Sequence, residues 1–391
     1  MLIDVFVLFA ASQVAAHVMR RFRQPAVIGE ILAGVLVGPH LLGWVSGSEF
    51  IHSLAEIGVI ILLFYVGLGT RVSDLLRVGR HSLAAGTLGV LFPLVAGVLL
   101  MSLLGYPPRV AYFMGAALVA TSVGITARVL VDMHQSHTRP ARVILGAAVY
   151  DDILGLLILA VVVGMAANRL SLTSLVVTVA QALAFTVFVV LLGQRMVHRF
   201  SVHVPAFQAR SPEFVLAMII CLGLSALASL IGLASLVGAF LAGMVLSETR
   251  EAQAVRQRVE PVYDLLVPLF FATMGTLVNV PAMLNPQTAL LALAITALAV
   301  VTKFAGCGLA ALPLGRREAL IVGVGMIPRG EVGIVVAMIG LKMGVVTQDL
   351  YGVVVTMSLA TTLLAPPLLW RLMPRHRHEQ PPEAAPAPAT E

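Results

Sequence analysis

Stretches of about 20 predominantly apolar residues, each long enough to cross a hydrocarbon core roughly 30 Å thick, recur along this chain from Leu2 to Arg371. About thirteen can be drawn, separated by short polar loops. Hydrocarbon offers no partner for a backbone N–H or C=O, so such segments must satisfy themselves as helices. Only 11% of the residues are charged, against roughly 25% in a soluble domain. The expectation is an all-α polytopic membrane protein in one continuous bundle, with no soluble domain.

A sequence pI near 9.8 invites a nucleic-acid reading, and the placement of the basic residues argues against it. Alternate loops hold Arg20, Arg21 and Arg23; Arg71, Arg77 and Arg80; Arg128, Arg139 and Arg142; and so on to Arg371, Arg375 and Arg377. The opposite loops hold Arg109, Arg169 and Lys342, and Lys303 and Arg329 fall inside segments. This asymmetry is the positive-inside pattern, with the N-terminus outside and the C-terminus in the cytoplasm. Leu2 to Val18 has no basic region before it and reads as a retained first segment rather than a signal peptide. Cys221 and Cys307 lie in apolar segments and imply neither a disulfide framework nor a zinc site. Residues 374–391 are rich in Pro and Ala and are expected to be a disordered cytoplasmic tail.

The chain repeats itself. Ile28-Gly29-Glu30-Ile31-Leu32-Ala33-Gly34 returns as Val237-Gly238-Ala239-Phe240-Leu241-Ala242-Gly243, an offset of 209, which also carries Val123-Gly124-Ile125 onto Val332-Gly333-Ile334. A shift of 208 carries Gly67 onto Gly275. Segments one to six and eight to thirteen form the two units, and an odd displacement inverts the second in the membrane. Inverted repeats with interrupted helices at the midplane are how secondary transporters are built. Two interruptions are expected at equivalent places: Ala120-Thr121-Ser122-Val123-Gly124 in segment five, and Gly325-Met326-Ile327-Pro328-Arg329-Gly330-Glu331 in segment twelve. Pro328 removes a donor and Gly330 tolerates unusual angles.

Two adjacent carboxylates, Asp151 and Asp152, stand in the apolar stretch Ile144 to Met165. Ionised groups at that depth cost at least a few kcal/mol on insertion scales, so their default reading is an ion or proton site. About 100° separates neighbours around a helix, so one can face a cavity while the other faces a neighbouring helix. Lys303 is the natural partner for the latter, and that pair would also serve simply as a helix clamp. Thr121 and Ser122 offer hydroxyl and freed carbonyl oxygens for a hard cation, or ordinary polar packing. Arg329 and Glu331 read as structural charges offsetting the ends of the interrupted helices. Glu30, Asp264, Glu56 and Asp4 lie closer to helix ends and read as interfacial or structural.

In combination, Pro25 to Gly34 with Gly38-Pro39, Ala120 to Arg128, Asp151-Asp152 and Pro328 to Gly333 resemble the NapA-type bacterial sodium/proton antiporters of the cation/proton antiporter superfamily. The resemblance implies that Asp152 is the principal cation-binding carboxylate, with sodium as its metal ion, and that Asp151 pairs with Lys303. It implies a crossover of interrupted helices at Thr121-Ser122 and at Pro328 to Glu331. Two aspartates at the pair are similar to the electrogenic members. A homodimer in the bacterial inner membrane is implied, working in pH homeostasis with no cofactor and no nucleic-acid partner. Its core moves against a dimerisation domain in an elevator-like cycle. The expected division is 1–80 and 212–286 for dimerisation, 81–167 and 287–373 for the core, and 168–211 for a linker segment. Two departures stand out: Gly69 follows Gly67-Leu68 where relatives often carry Glu, and Tyr150 precedes the pair where an aliphatic residue is usual.

Other classes fit less well. Potassium/proton antiporters of the Kef type often append a nucleotide-binding domain, and the tail after Arg371 has no Gly-rich phosphate loop. An intramembrane aspartyl protease needs a second aspartate on another segment, and none follows Gly-x-Gly. A passive channel needs no paired inverted units, and a small-solute carrier of the same repeat design stays open. No enzymatic activity is expected.

Overall fold

The computed structural model describes residues 2–22, 24–70, 79–166, 211–277 and 286–373, with a few helical positions between 177 and 189. The expected linker segment at 168–211 falls almost entirely outside the described residues, and the tail at 374–391 does so completely. Among the described residues, fourteen α-helices are delimited in chain order. They are α1 (Leu2–Arg21), α2 (Ala26–Val37), α3 (Glu49–Leu68), α4 (Gly79–Leu103), α5 (Pro108–Val119), α6 (Val123–Asp132) and α7 (Arg139–Ala166). The second series is α8 (Pro212–Leu230), α9 (Ser235–Ser247), α10 (Ala252–Thr276), α11 (Pro286–Ala311), α12 (Arg316–Gly325), α13 (Glu331–Lys342) and α14 (Gln348–Leu372).

Among the described residues, eight spans are long and apolar enough to cross a membrane, with shorter apolar helices at Ala26–Val37, Ser235–Ser247 and Val332–Lys342. α5 and α6 are the halves of one span, interrupted at Ala120-Thr121-Ser122. α12 and α13 are the halves of the equivalent span, interrupted from Met326 to Gly330. α10 is less apolar than these spans because its first half carries Arg256, Arg258, Glu260 and Asp264. Several basic residues read as loop residues, such as Arg20, Arg21, Arg139, Arg142 and Arg371, lie in the end turns of helices, and Arg128 lies within α6 and is 6% exposed.

The repeat is visible in how helix backbones touch. α2 meets α10 where Gly34 lies against the Ala272 carbonyl and Gly275 against the Ile31 carbonyl. α3 meets α9 where Gly243 lies against the Phe64 carbonyl and Gly67 against the Phe240 carbonyl. These are one contact seen twice: adding 208 or 209 carries Gly34, Ile31, Phe64 and Gly67 onto Gly243, Phe240, Ala272 and Gly275. A β-carbon at any of the four glycines would overlap a carbonyl, so the seam needs residues without side chains.

The helices pack in two groups. α1, α2 and α3 interleave with α8, α9 and α10; α4 to α7 interleave with α11 to α14. The groups meet chiefly where α6 lies against α3 and α2, and where α14 touches α2. Phe64, Phe271 and Leu62 are fully buried in the first group, and Phe113, Met114 and Leu118 in the second.

Gly67→Val tests the seam. Overpacking against the Phe240 carbonyl is expected to cost about 1–3 kcal/mol or more. Gly223→Ala, where an added β-carbon meets nothing, should stay within about 0.5 kcal/mol of wild type. Thermal unfolding in detergent, with matched melting temperatures for the two variants, would contradict the seam.

Candidate functional site

The two interruptions meet face to face. The backbone N–H of Ser122 donates to the Pro328 carbonyl at 2.9 Å, so one unwound segment satisfies the other. At this crossing Gly330 lies so close to the Ser122 side chain that a β-carbon would collide with it. Thr126, one turn into α6, donates its hydroxyl to the Gly325 carbonyl at the end of α12. Irregular backbone at membrane depth is tolerated only where protein buries it, and here each strand is the other's partner.

Half-helices that end mid-membrane leave negative carbonyl ends, and a cation sits at each. Lys303 of α11, fully buried, donates to the Val119 carbonyl at the end of α5 (3.0 Å) and to Asp151 Oδ1 (2.6 Å). Arg329, also fully buried, directs Nη1 to the carbonyls of Met326 (3.3 Å) and Ile327 (3.2 Å) at the end of α12, and Nη2 to Ala299 (3.3 Å). Its backbone is held on both sides by α14, with the N–H donating to Thr361 Oγ1 (3.1 Å) and the carbonyl accepting from Thr362 (2.8 Å). Glu331 is the first residue of α13, and its side chain lies outside the described residues.

Asp151 and Asp152 point in different directions, as helix geometry requires. Asp151 is 1% exposed and ion-paired with Lys303. Asp152 is half-buried and lines a narrow gap with Leu63, Val123, Leu236, Val237 and Phe240, where the two helix groups adjoin. Thr121 and Ser122 are buried, and Thr121 Oγ1 has no hydrogen-bond partner. Tyr150 is 37% exposed, with its β-carbon against Gly86 of α4. The structure thus brings Asp151 to Lys303 and Ser122 to Pro328, while Asp152 faces another element. Among the described residues no cluster of three or more His, Cys, Asp or Glu is arranged to hold a metal ion.

Sequence reasoning passed over one cluster. Glu30, 1% exposed on α2, is ion-paired with Arg128 Nη2 at 3.6 Å, and Arg128 also pairs with Asp132 at 3.1 Å and stacks over the Tyr263 ring at 4.9 Å. The i,i+4 spacing of Arg128 and Asp132 was the available signal.

An interrupted, inverted repeat closed around buried charges defines a membrane protein of the secondary-transporter design. The sodium/hydrogen exchanger transmembrane family model matches residues 6–372, and the chain belongs to that family. It is 32% identical to the Na(+)/H(+)-K(+) antiporter GerN of Bacillus cereus, over 94% of each chain. It is 34% identical to a Na(+)/H(+) antiporter of Enterococcus hirae, over 93% of this chain and 95% of that one. In fold it is similar to the sodium proton antiporter MjNhaP1 of Methanocaldococcus jannaschii, with a TM-score of 0.69 and 18% identity over 92% of this chain and 93% of that one.

Lys303→Ala would leave Asp151 buried without its ion-pair partner, at an expected cost of about 3–5 kcal/mol. Replacing both residues with apolar ones of similar volume, Asp151→Leu with Lys303→Met, should cost less than the single change. Thermal unfolding checks the order, and a single variant melting with wild type would contradict the ion pair's structural role.

Proposed function

We propose that this protein is a secondary active antiporter in which sodium or lithium and protons compete for Asp152. The observation that carries the reading is the division between the carboxylates. Asp151 is buried against Lys303, whereas the half-buried Asp152 lines the gap between the helix groups beside Val123, next to the first interruption. A carboxylate there can hold either a proton or a cation, and occupancy by one excludes the other. Thr121, with its unpartnered hydroxyl, Ser122 and the loosened carbonyls of the two interruptions are the further oxygens such a cation would require. Curated relatives named as sodium/proton antiporters support the activity.

The packing supports an elevator-type cycle. The group α4–α7 with α11–α14 carries the site and serves as the moving core. The group α1–α3 with α8–α10 serves as the dimerising scaffold in a homodimer. A core that slides against a scaffold through few contacts, in elevator fashion, exposes Asp152 to each side in turn. The basic loops set the orientation in a bacterial inner membrane, with the N-terminus outside. Cation binding that also opens the Asp151–Lys303 pair would release a second proton, and a cycle moving two protons against one cation is electrogenic. Arg329 and Glu331 hold the interruption rather than the ion.

Potassium stays as a second cation because one relative is named as a Na(+)/H(+)-K(+) antiporter. Liposomes with a luminal pH dye and an inward-acid gradient test the reading, with sodium, lithium and potassium added separately. Sodium or lithium is expected to dissipate the gradient in wild type and to leave it intact in Asp152→Asn. Failure of every cation with the wild-type protein would sink antiport, and full activity in the variant would sink the site. Clamping the membrane potential with valinomycin should change the sodium rate, and an unresponsive rate means electroneutral exchange.

A further inference from the structure

The two helix groups touch through different chemistry at the two ends of the molecule. At one end α6 of the core group lies against α2 and α3 of the scaffold group. Arg128 spans that boundary: from α6 it reaches Glu30 on α2 at 3.6 Å and the face of Tyr263 on α10 at 4.9 Å. Tyr263 in turn rests against Tyr65 of α3, ring centroids 4.8 Å apart, and Tyr65 carries the Arg256 guanidinium at 4.7 Å. Arg128 is 6% exposed and Glu30 1%, so solvent screens this contact little. Asp132, by contrast, makes its ion pair with Arg128 within the same helix.

The inverted repeat supplies a comparison inside one chain. An offset of 209 carries Glu30 onto Ala239, Arg128 onto Ala337 and Asp132 onto Leu341, and 208 carries Tyr263 onto Ala55. Glu30, Arg128, Asp132 and Tyr263 thus each have an apolar counterpart at the opposite end. The packing is unequal too: α6 lies against α2 and α3, whereas its counterpart α13 takes its main contacts from α5 and α14 of its own group. A cavity opens between the groups at each end, one bounded by His40, His52, Thr276, Gln348 and Val355 and one by Tyr65, Arg128, Asp132 and Tyr263, so the asymmetry lies in the charged contact rather than in open space.

We propose that Arg128 is a positioning residue for transport, locking the core group to the scaffold group at the basic-loop end through Glu30 and Tyr263, with no matching lock among the described residues at the other end. The inference rests on the two-group transport reading. Both alternating states of an inverted repeat would be equally favourable if the halves were identical, and a lock present at one end alone biases the pair toward the state closed there. Exposing Asp152 to the Arg128 end then requires parting Arg128 from Glu30.

Glu30→Gln removes the ionic contact between groups and leaves Arg128–Asp132 in place; Asp132→Asn is the control that removes the contact within α6. Deuterium uptake by the detergent-solubilised full chain, followed over 26–37 and 123–132, should rise about fivefold or more in rate in Glu30→Gln and change little in Asp132→Asn. In liposomes the apparent KM for sodium presented at the Arg128 side should shift several-fold in Glu30→Gln, with the value at the other side moving the opposite way. Equal uptake and equal KM values in the two variants would overturn the lock. If Glu30→Gln does not fold, Glu30→Asp, which keeps the charge and draws it back from Arg128, should give an intermediate rise, and uptake at the wild-type rate would overturn the proposal. Should the wild-type chain show no exchange in liposomes, the transport reading fails while deuterium uptake still decides the contact.

Discussion

The hydrogen bond from Ser122 N–H to the Pro328 carbonyl, 2.9 Å long, joins two helices that each stop in mid-membrane. An interrupted helix in hydrocarbon leaves unpaired groups costing several kcal/mol each, and one such helix alone could not persist. Two crossing at their interruptions satisfy one another and leave only their dipole ends to be offset. Lys303 at the Val119 carbonyl and Arg329 at the Met326 and Ile327 carbonyls do that. Once Lys303 is there, Asp151 is required to neutralise it, and its neighbour Asp152 is turned by helix geometry toward the other helix group. Crossing, cations and divided carboxylates form one chain of physical necessity.

The seams between helices obey a different constraint. Lipid tails are as apolar as the helices, so close approach of backbones, rather than exclusion of water, holds α2 to α10 and α3 to α9. The doubled glycine contact packs α2 with α10 and α3 with α9 as two equivalent close pairs. The core group shares few contacts with it, mostly along α6. This combination of firm packing within groups and a narrow boundary between them suits relative motion.

The interruptions were legible because Pro328, Gly330 and buried charges are rare in apolar spans and stand out in a single sequence. The inverted repeat was legible from Gly34 and Gly243 for the same reason that it matters: those positions accept no side chain. Lys303 stood out as the natural partner for an aspartate because no other lysine lies in a span. Arg128 was not legible. It follows the first interruption by only a few residues, where an arginine reads equally well as the start of a cytoplasmic loop, and only tertiary packing places it beneath α2. Glu30 was discounted for lying near a helix start, although α2 is short and buried along most of its length. Proximity in sequence to a helix end says little about depth when the helix itself sits inside the bundle.

The central claim is that one acid, Asp152, holds either a cation or a proton. Proton release on cation binding tests it directly, measured with a pH dye when sodium is added to purified protein in weakly buffered detergent. Wild type is expected to release protons in proportion to sodium bound, and Asp152→Asn to release none. Sodium binding by wild type with no proton released would contradict competition at Asp152.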